Sequence, residues 1–148
     1  MENSFKDIII DSLKFLVTNK RIMLNGFVIM SNHIHLIWQA QNGFSPSEVQ
    51  LSFMKYTSQQ MKRLLDKENP LLLEGFKVNK YDRTYQFWKR EPLSIELFTP
   101  AVFYQKLEYI HNNPVRAGLC KFAEEYYYSS AKFYKEGIDN FGILTHNQ

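Results

Sequence analysis

Apolar positions along this chain change their period several times, and each change marks an element. Between residues 5 and 18, Ile8, Ile9, Leu13, Leu16 and Val17 recur at helical spacing, which predicts a first helix with Asn3 or Ser4 as its N-cap. Residues 21–30, RIMLNGFVIM, are apolar on both alternating faces, as in a strand covered from both sides. Ser31-Asn32 marks a bend or bulge. Residues 34–40, IHLIWQA, then read as a second strand, giving either a hairpin or one bent strand. Gln41-Asn42-Gly43 is a turn signal. Ser45-Pro46-Ser47-Glu48 opens a long helix, with Ser45 as N-cap, Pro46 in the first turn and Glu48 completing a capping box; it runs to about Lys67, before Asn69-Pro70. Residues 70–82 have no clear period, while 85–88 and 93–97 read as short strands or extended loop. Thr99-Pro100 starts another helix, to about Asn112, and Asn113-Pro114 ends it because the residue before proline is disfavoured in the α region. Residues 124–134 predict a last helix with an aromatic face. Interleaved helices and strands give an α+β layer built on an antiparallel sheet.

Composition adds bounds. The 148 residues suit one domain spanning 1–148, and 45% hydrophobic content can fill its core. The 12 Phe and 9 Tyr are mainly core material, with base stacking as the minority use. A net charge of +3 permits a polyanionic partner without demanding one. The single cysteine, Cys120, allows no intramolecular disulfide, which fits a reducing cytoplasm. No apolar run approaches the roughly 20 residues that span a bilayer, and MENSFKDIII lacks a signal-peptide layout. The expectation is a cytoplasmic protein with no membrane partner.

Two features carry chemistry. His33 and His35 stand two apart on a strand, so their imidazoles share a face, and Ile34, Leu36 and Trp38 point the other way. Two neutral imidazoles so placed can chelate one divalent ion, with a third ligand from elsewhere. Taken alone, the same pattern describes two ordinary histidines on a half-exposed strand. On the helix of residues 100–112, Phe103, Leu107 and Ile110 form the apolar stripe, and Tyr109 lies roughly 130° from its centre. Asn113 is one turn further on the Tyr109 side. Tyr109 is either a half-exposed surface tyrosine or a nucleophile facing a separate site, and the Asn113 amide oxygen is an acceptable hard ligand for magnesium.

Residues 31–37 (SNHIHLI), 86–89 (QFWK), 109–119 (YIHNNPVRAGL) and 128–131 (YSSA) occur in an order that resembles the REP-associated tyrosine transposases, a branch of the single-tyrosine HUH (IS200-like) transposases. The resemblance covers nearly the whole chain, and 109–119 is its most specific part. It implies a ferredoxin-like antiparallel sheet with helices on one face. It also implies magnesium- or manganese-dependent cleavage of single-stranded or hairpin DNA, in monomers or homodimers. Tyr109 matches the family's nucleophile, and His33, His35 and Asn113 match its metal ligands. The implied reaction forms a 5′-phosphotyrosine and frees a 3′-hydroxyl, which in reverse gives strand transfer in DNA transposition. One departure is that the family begins with a strand before its first helix, and this chain starts almost at the helix; the expectation is a sheet lacking that strand, in an N-terminally truncated domain.

Further basic residues are candidates for phosphate contact. Arg116, after the Asn-Pro stop, is the best placed; Lys62 and Arg63 (with Lys55) lie on the long helix, and Lys89 and Arg90 (with Arg83) in the middle region. Each also reads as a solvated surface charge. Two other functions fit the residues: a catalytically decayed hairpin nucleic-acid binder, and a metal-dependent hydrolase that would survive loss of Tyr109.

Overall fold

A bulged β-hairpin organises the molecule, whose computed structural model describes residues 2–80, 83–85, 87–88 and 99–145. Strands β1 (Ile22–Ile29) and β2 (Ile34–Ala40) pair antiparallel, with Leu24 opposite Trp38 and Val28 opposite His35. The register shifts between Leu24 and Gly26, leaving Asn25 as an extra residue. That bulge explains why β1 reads as apolar on both faces. Ile22 and Leu24 before it join Phe27 and Ile29 after it in one core cluster, although regular alternation would put 24 and 27 on opposite faces. Asn25 is buried; its Oδ1 accepts a hydrogen bond from Gln39 Nε2 at 3.1 Å, and its carbonyl accepts one from the Tyr134 hydroxyl.

Helices α1 (Glu2–Thr18) and α2 (Pro46–Glu68) cover this face. Ile9, Ile10, Leu13 and Leu16 of α1 meet Val49, Phe53 and Met61 of α2 over the strands, and Ile34, Leu36 and Trp38 of β2 pack against the same cluster. The expected capping box is present: Ser45 Oγ accepts from the Glu48 N–H, and Glu48 accepts from the Ser45 N–H, both at 3.1 Å. A short helix α3 (Pro70–Glu74) leads to a two-stranded ribbon of β3 (Lys77–Lys80) and β4 (Arg83–Tyr85), in the stretch where the sequence has no clear period. Trp88 returns to α2, where its indole N–H donates to Thr57 Oγ1 at 3.1 Å and its ring lies against Phe53; it is a core residue.

The opposite face carries helix α4 (Pro100–His111). Its Leu107 and Ile110 pack on Val28, Met30 and Ile37. Gly26 makes room for the Leu107 side chain, since a Cβ there would lie 2.5 Å from Leu107 Cδ1. Helix α4 ends at His111, close to the expected stop, but not for the expected reason: Asn113, the residue before proline, is itself helical and opens a separate short helix, α5 (Asn113–Arg116), with Pro114 in its first turn.

The chain's last part departs from expectation. A helix over 124–134 is not what forms. A 3-10 turn at Ala123–Glu125 gives way to extended backbone, and helix α6 (Ala131–Glu136) starts only at 131. The extended stretch lies along the outer edge of β1: Ile29 N–H donates to Tyr128 O at 2.9 Å, Ser130 N–H to Phe27 O at 3.0 Å, and further along Thr145 N–H to Leu24 O at 2.7 Å. The physical reason is the buried strand edge, whose backbone groups need partners that a helix, bonded to itself, cannot supply.

The chain is thus α+β, with an antiparallel β1–β2 sheet, its two long helices on one face and α4 on the other, compatible with a ferredoxin-like fold short of a strand. Among the described residues no helix is long and apolar enough to cross a membrane.

Candidate active site

The α4 face of the hairpin brings three of the sequence candidates together. His35 is in the ladder opposite Val28, so its side chain shares the face that Val28 presents to α4. His33 lies just outside the strand, and its carbonyl accepts the Met30 N–H at 2.9 Å, closing the turn. The two imidazole centroids are 5.2 Å apart, edge to face. The Tyr109 ring stands edge-on to His35 at 6.3 Å and is 57% exposed. The reason is α4's rotation: Leu107 and Ile110 are buried against β1, which leaves Tyr109 on the flank toward the histidine strand.

Arg116 completes the group. Its guanidinium lies over the Tyr109 ring, 4.4 Å from the centroid, and Nη2 donates to the Tyr109 carbonyl at 2.9 Å. At this exposed position the guanidinium has further N–H donors beyond the one bonded to Tyr109, in a geometry able to fork to an anion. Burial, then the His33 and Arg116 charges, lower the His35 pKa and favour the neutral imidazole that a metal ion needs. Asn113, half-buried, opens α5 one turn after Tyr109.

The donor set fits a divalent ion in part. His33 and His35 offer two nitrogens on one face. Among the described residues no group of three His, Cys, Asp or Glu gathers anywhere. Remaining ligands would come from the Asn113 amide, water or a substrate phosphate, all hard oxygen donors suited to magnesium or manganese.

The other candidates stand apart. Lys62 and Arg63 are on α2, on the opposite side of the sheet; they border a 260 Å³ surface cleft with Gln59 and Asp66, and the Lys62 ammonium lies 5.4 Å from the Tyr85 ring centroid. Lys89 and Arg90 lie outside the described residues.

Asn32 escaped sequence reasoning, and His111 has a place that its residue type alone leaves open. Asn32 Oδ1 lies 2.7 Å from His33 Nδ1. His111, two residues past Tyr109, turns inward, with Nε2 2.7 Å from Ser130 Oγ. That hydroxyl also accepts the Phe27 N–H at 2.9 Å and lies 3.2 Å from Phe27 O. A consistent proton assignment has His111 Nε2–H and Phe27 N–H donating to Ser130, whose own proton goes to Phe27 O. The YSSA motif thus ties the tyrosine helix to β1, and burial depresses the His111 pKa to about 4. Adjacency in sequence was the only signal for Asn32, and nothing in the sequence pairs residue 111 with 130.

No protein-family model, curated protein or solved structure matches the chain.

Proposed function

We propose that the protein is a metal-dependent tyrosine nuclease and strand transferase acting on single-stranded or hairpin DNA, the chemistry of a single-tyrosine transposase. The observation that carries this reading is the exposed Tyr109 set edge-on to His35, with His33 beyond it and Arg116 stacked on the phenol ring. An exposed tyrosine beside two imidazoles and a guanidinium has little to do in packing. Together they supply a nucleophile, a place for a cation and an anion clamp.

In this reading the Tyr109 Oη attacks a backbone phosphorus. The P–O bond to the 3′ oxygen breaks, the departing oxygen takes up a proton, and the new bond is a 5′-phosphotyrosine. Attack of a 3′-hydroxyl on that ester reverses the step and joins strands. Bond energy is conserved, so no nucleotide cofactor is consumed. Arg116 holds a non-bridging phosphate oxygen and keeps the phenol ring in place. His33 and His35, with Asn113, would hold Mg2+ or Mn2+, which when bound polarises the scissile phosphate.

The test is a denaturing gel of the protein mixed with labelled single-stranded hairpin DNA and Mg2+ or Mn2+. A covalent protein–DNA band that disappears in Tyr109→Phe and with chelator is the expected result. Hairpin binding without any adduct would replace this reading with that of a decayed nucleic-acid binder. Phosphoester hydrolysis that survives Tyr109→Phe would make the protein a simple metal-dependent hydrolase.

A further inference from the structure

The two histidines are held by different means. His35 sits within the β1–β2 ladder, where pairing with Val28 fixes its backbone and burial restricts its ring. His33 precedes the first residue of β2 and is exposed. Packing therefore does little to hold its imidazole, and an untethered ring would lose rotamer freedom on binding an ion. Among the described residues, the short polar contact to that ring is the Asn32 side chain, with Oδ1 2.7 Å from Nδ1. A carbonyl oxygen accepts and cannot donate, so this contact requires a proton on Nδ1. The Nε2 lone pair is then the ring's only acceptor.

We propose that Asn32 is a positioning residue for metal binding: its amide oxygen holds His33 in the Nδ1–H tautomer and presents Nε2 to a divalent cation shared with His35. This rests on the reading of His33 and His35 as metal ligands. The physical gain is twofold. The hydrogen bond selects a tautomer that free imidazole disfavours in water, and it fixes the ring before the ion arrives. A ligating imidazole whose other nitrogen donates to an oxygen is also the better electron-pair donor. Because Asn32 is itself exposed in the β1–β2 turn, replacing it leaves both core clusters intact.

The experiment has two independent readouts. The first is the tautomer of His33 in the metal-free protein, read from imidazole 15N chemical shifts at a pH where the ring is neutral. Wild type is expected to show Nδ1–H, Asn32→Ala to revert toward Nε2–H, and Asn32→Asp, which keeps an acceptor oxygen, to restore Nδ1–H. The second is calorimetric Mn2+ affinity of the wild type, Asn32→Ala and His35→Ala. Loss of Asn32 is expected to weaken Mn2+ binding about 10- to 100-fold, the usual effect of removing an outer-shell partner. A wild-type Nε2–H tautomer, meaning that the Asn32 amide donates instead, would overturn the proposal. So would unchanged Mn2+ affinity in Asn32→Ala alongside binding that His35→Ala abolishes; the metal site would then stand without Asn32. If wild type shows the Asn32-dependent tautomer but binds no Mn2+, the metal reading of the histidines fails, and with it Asn32's role toward an ion, while the orientation of the ring stands.

Discussion

Arg116 both covers the ring of Tyr109, at 4.4 Å from its centroid, and bonds the Tyr109 carbonyl at 2.9 Å, so one side chain fixes both ends of the proposed nucleophile's residue. The two contacts span the α4–α5 junction. Arg116 is exposed, and under the proposed function its remaining guanidinium N–H groups are the ones that bond a phosphate oxygen. Replacing Arg116 by Ala is expected to slow covalent adduct formation on hairpin DNA by about 100-fold, the scale of removing one preorganised anion donor. Lysine should recover only part, since it neither stacks flat on the ring nor forks to two oxygens. Single-turnover rates on denaturing gels measure both, and an unchanged circular dichroism spectrum would show that the fold is not the cause.

His111 makes stability depend on pH in a defined direction. Its pKa is depressed by burial from an ordinary 6.5 to about 4. Between those values the unfolded chain carries a proton there that the folded chain does not. The contribution of neutral His111 is therefore complete above about pH 6.5 and is lost as pH falls toward 4, at up to about 1.4 kcal/mol per pH unit. Urea unfolding at pH 7.5, 6 and 5 should show this slope, and His111→Asn should flatten it.

Ser130 is the hub that His111 needs. Ser130→Ala leaves the buried His111 ring without its 2.7 Å partner and removes the hydroxyl bonded to the Phe27 N–H, so a loss of about 1–3 kcal/mol is expected. Combined with His111→Asn in a double-mutant cycle, the two losses should be clearly less than additive, because they break one network.

Gly26 tests whether the approach of α4 matters to the site. A Cβ at this position meets Leu107 Cδ1 at 2.5 Å, and Leu107 is buried, so Gly26→Val must displace the Leu107 side chain, by a rotamer change or by a shift of α4. Thermal or urea unfolding should register a loss of about 1–3 kcal/mol from overpacking. Under the proposed function, a shift of α4 would lower adduct yield further than the folded fraction, since Tyr109 moves with its helix. Equal losses in both would show that its position tolerates the shift.

Much of this was legible from local pattern. The 3.6-residue period of α1, the capping box at Ser45 and the Thr99-Pro100 start are set by backbone chemistry within a few residues, so α1, α2 and the start of α4 fall close to where the sequence puts them. The spacing of two flagged His33 and His35 as neighbours, although His33 lies just before β2 and is held by the turn rather than by the strand; the turning of Tyr109 away from the core follows from the helical stripe. Other features were not legible because their causes are distant in sequence. The bulge at Asn25 answers to Gln39 and Tyr134, the extended backbone after Tyr126 answers to the open edge of β1, and His111 answers to Ser130. The sequence alone determined which residues could ligate, attack or cap, because these are properties of residue type and local spacing. Tertiary structure decided that His35, Tyr109 and Arg116 meet, because that requires α4 to seat Leu107 and Ile110 on one particular face of the hairpin, and no local rule contains that choice.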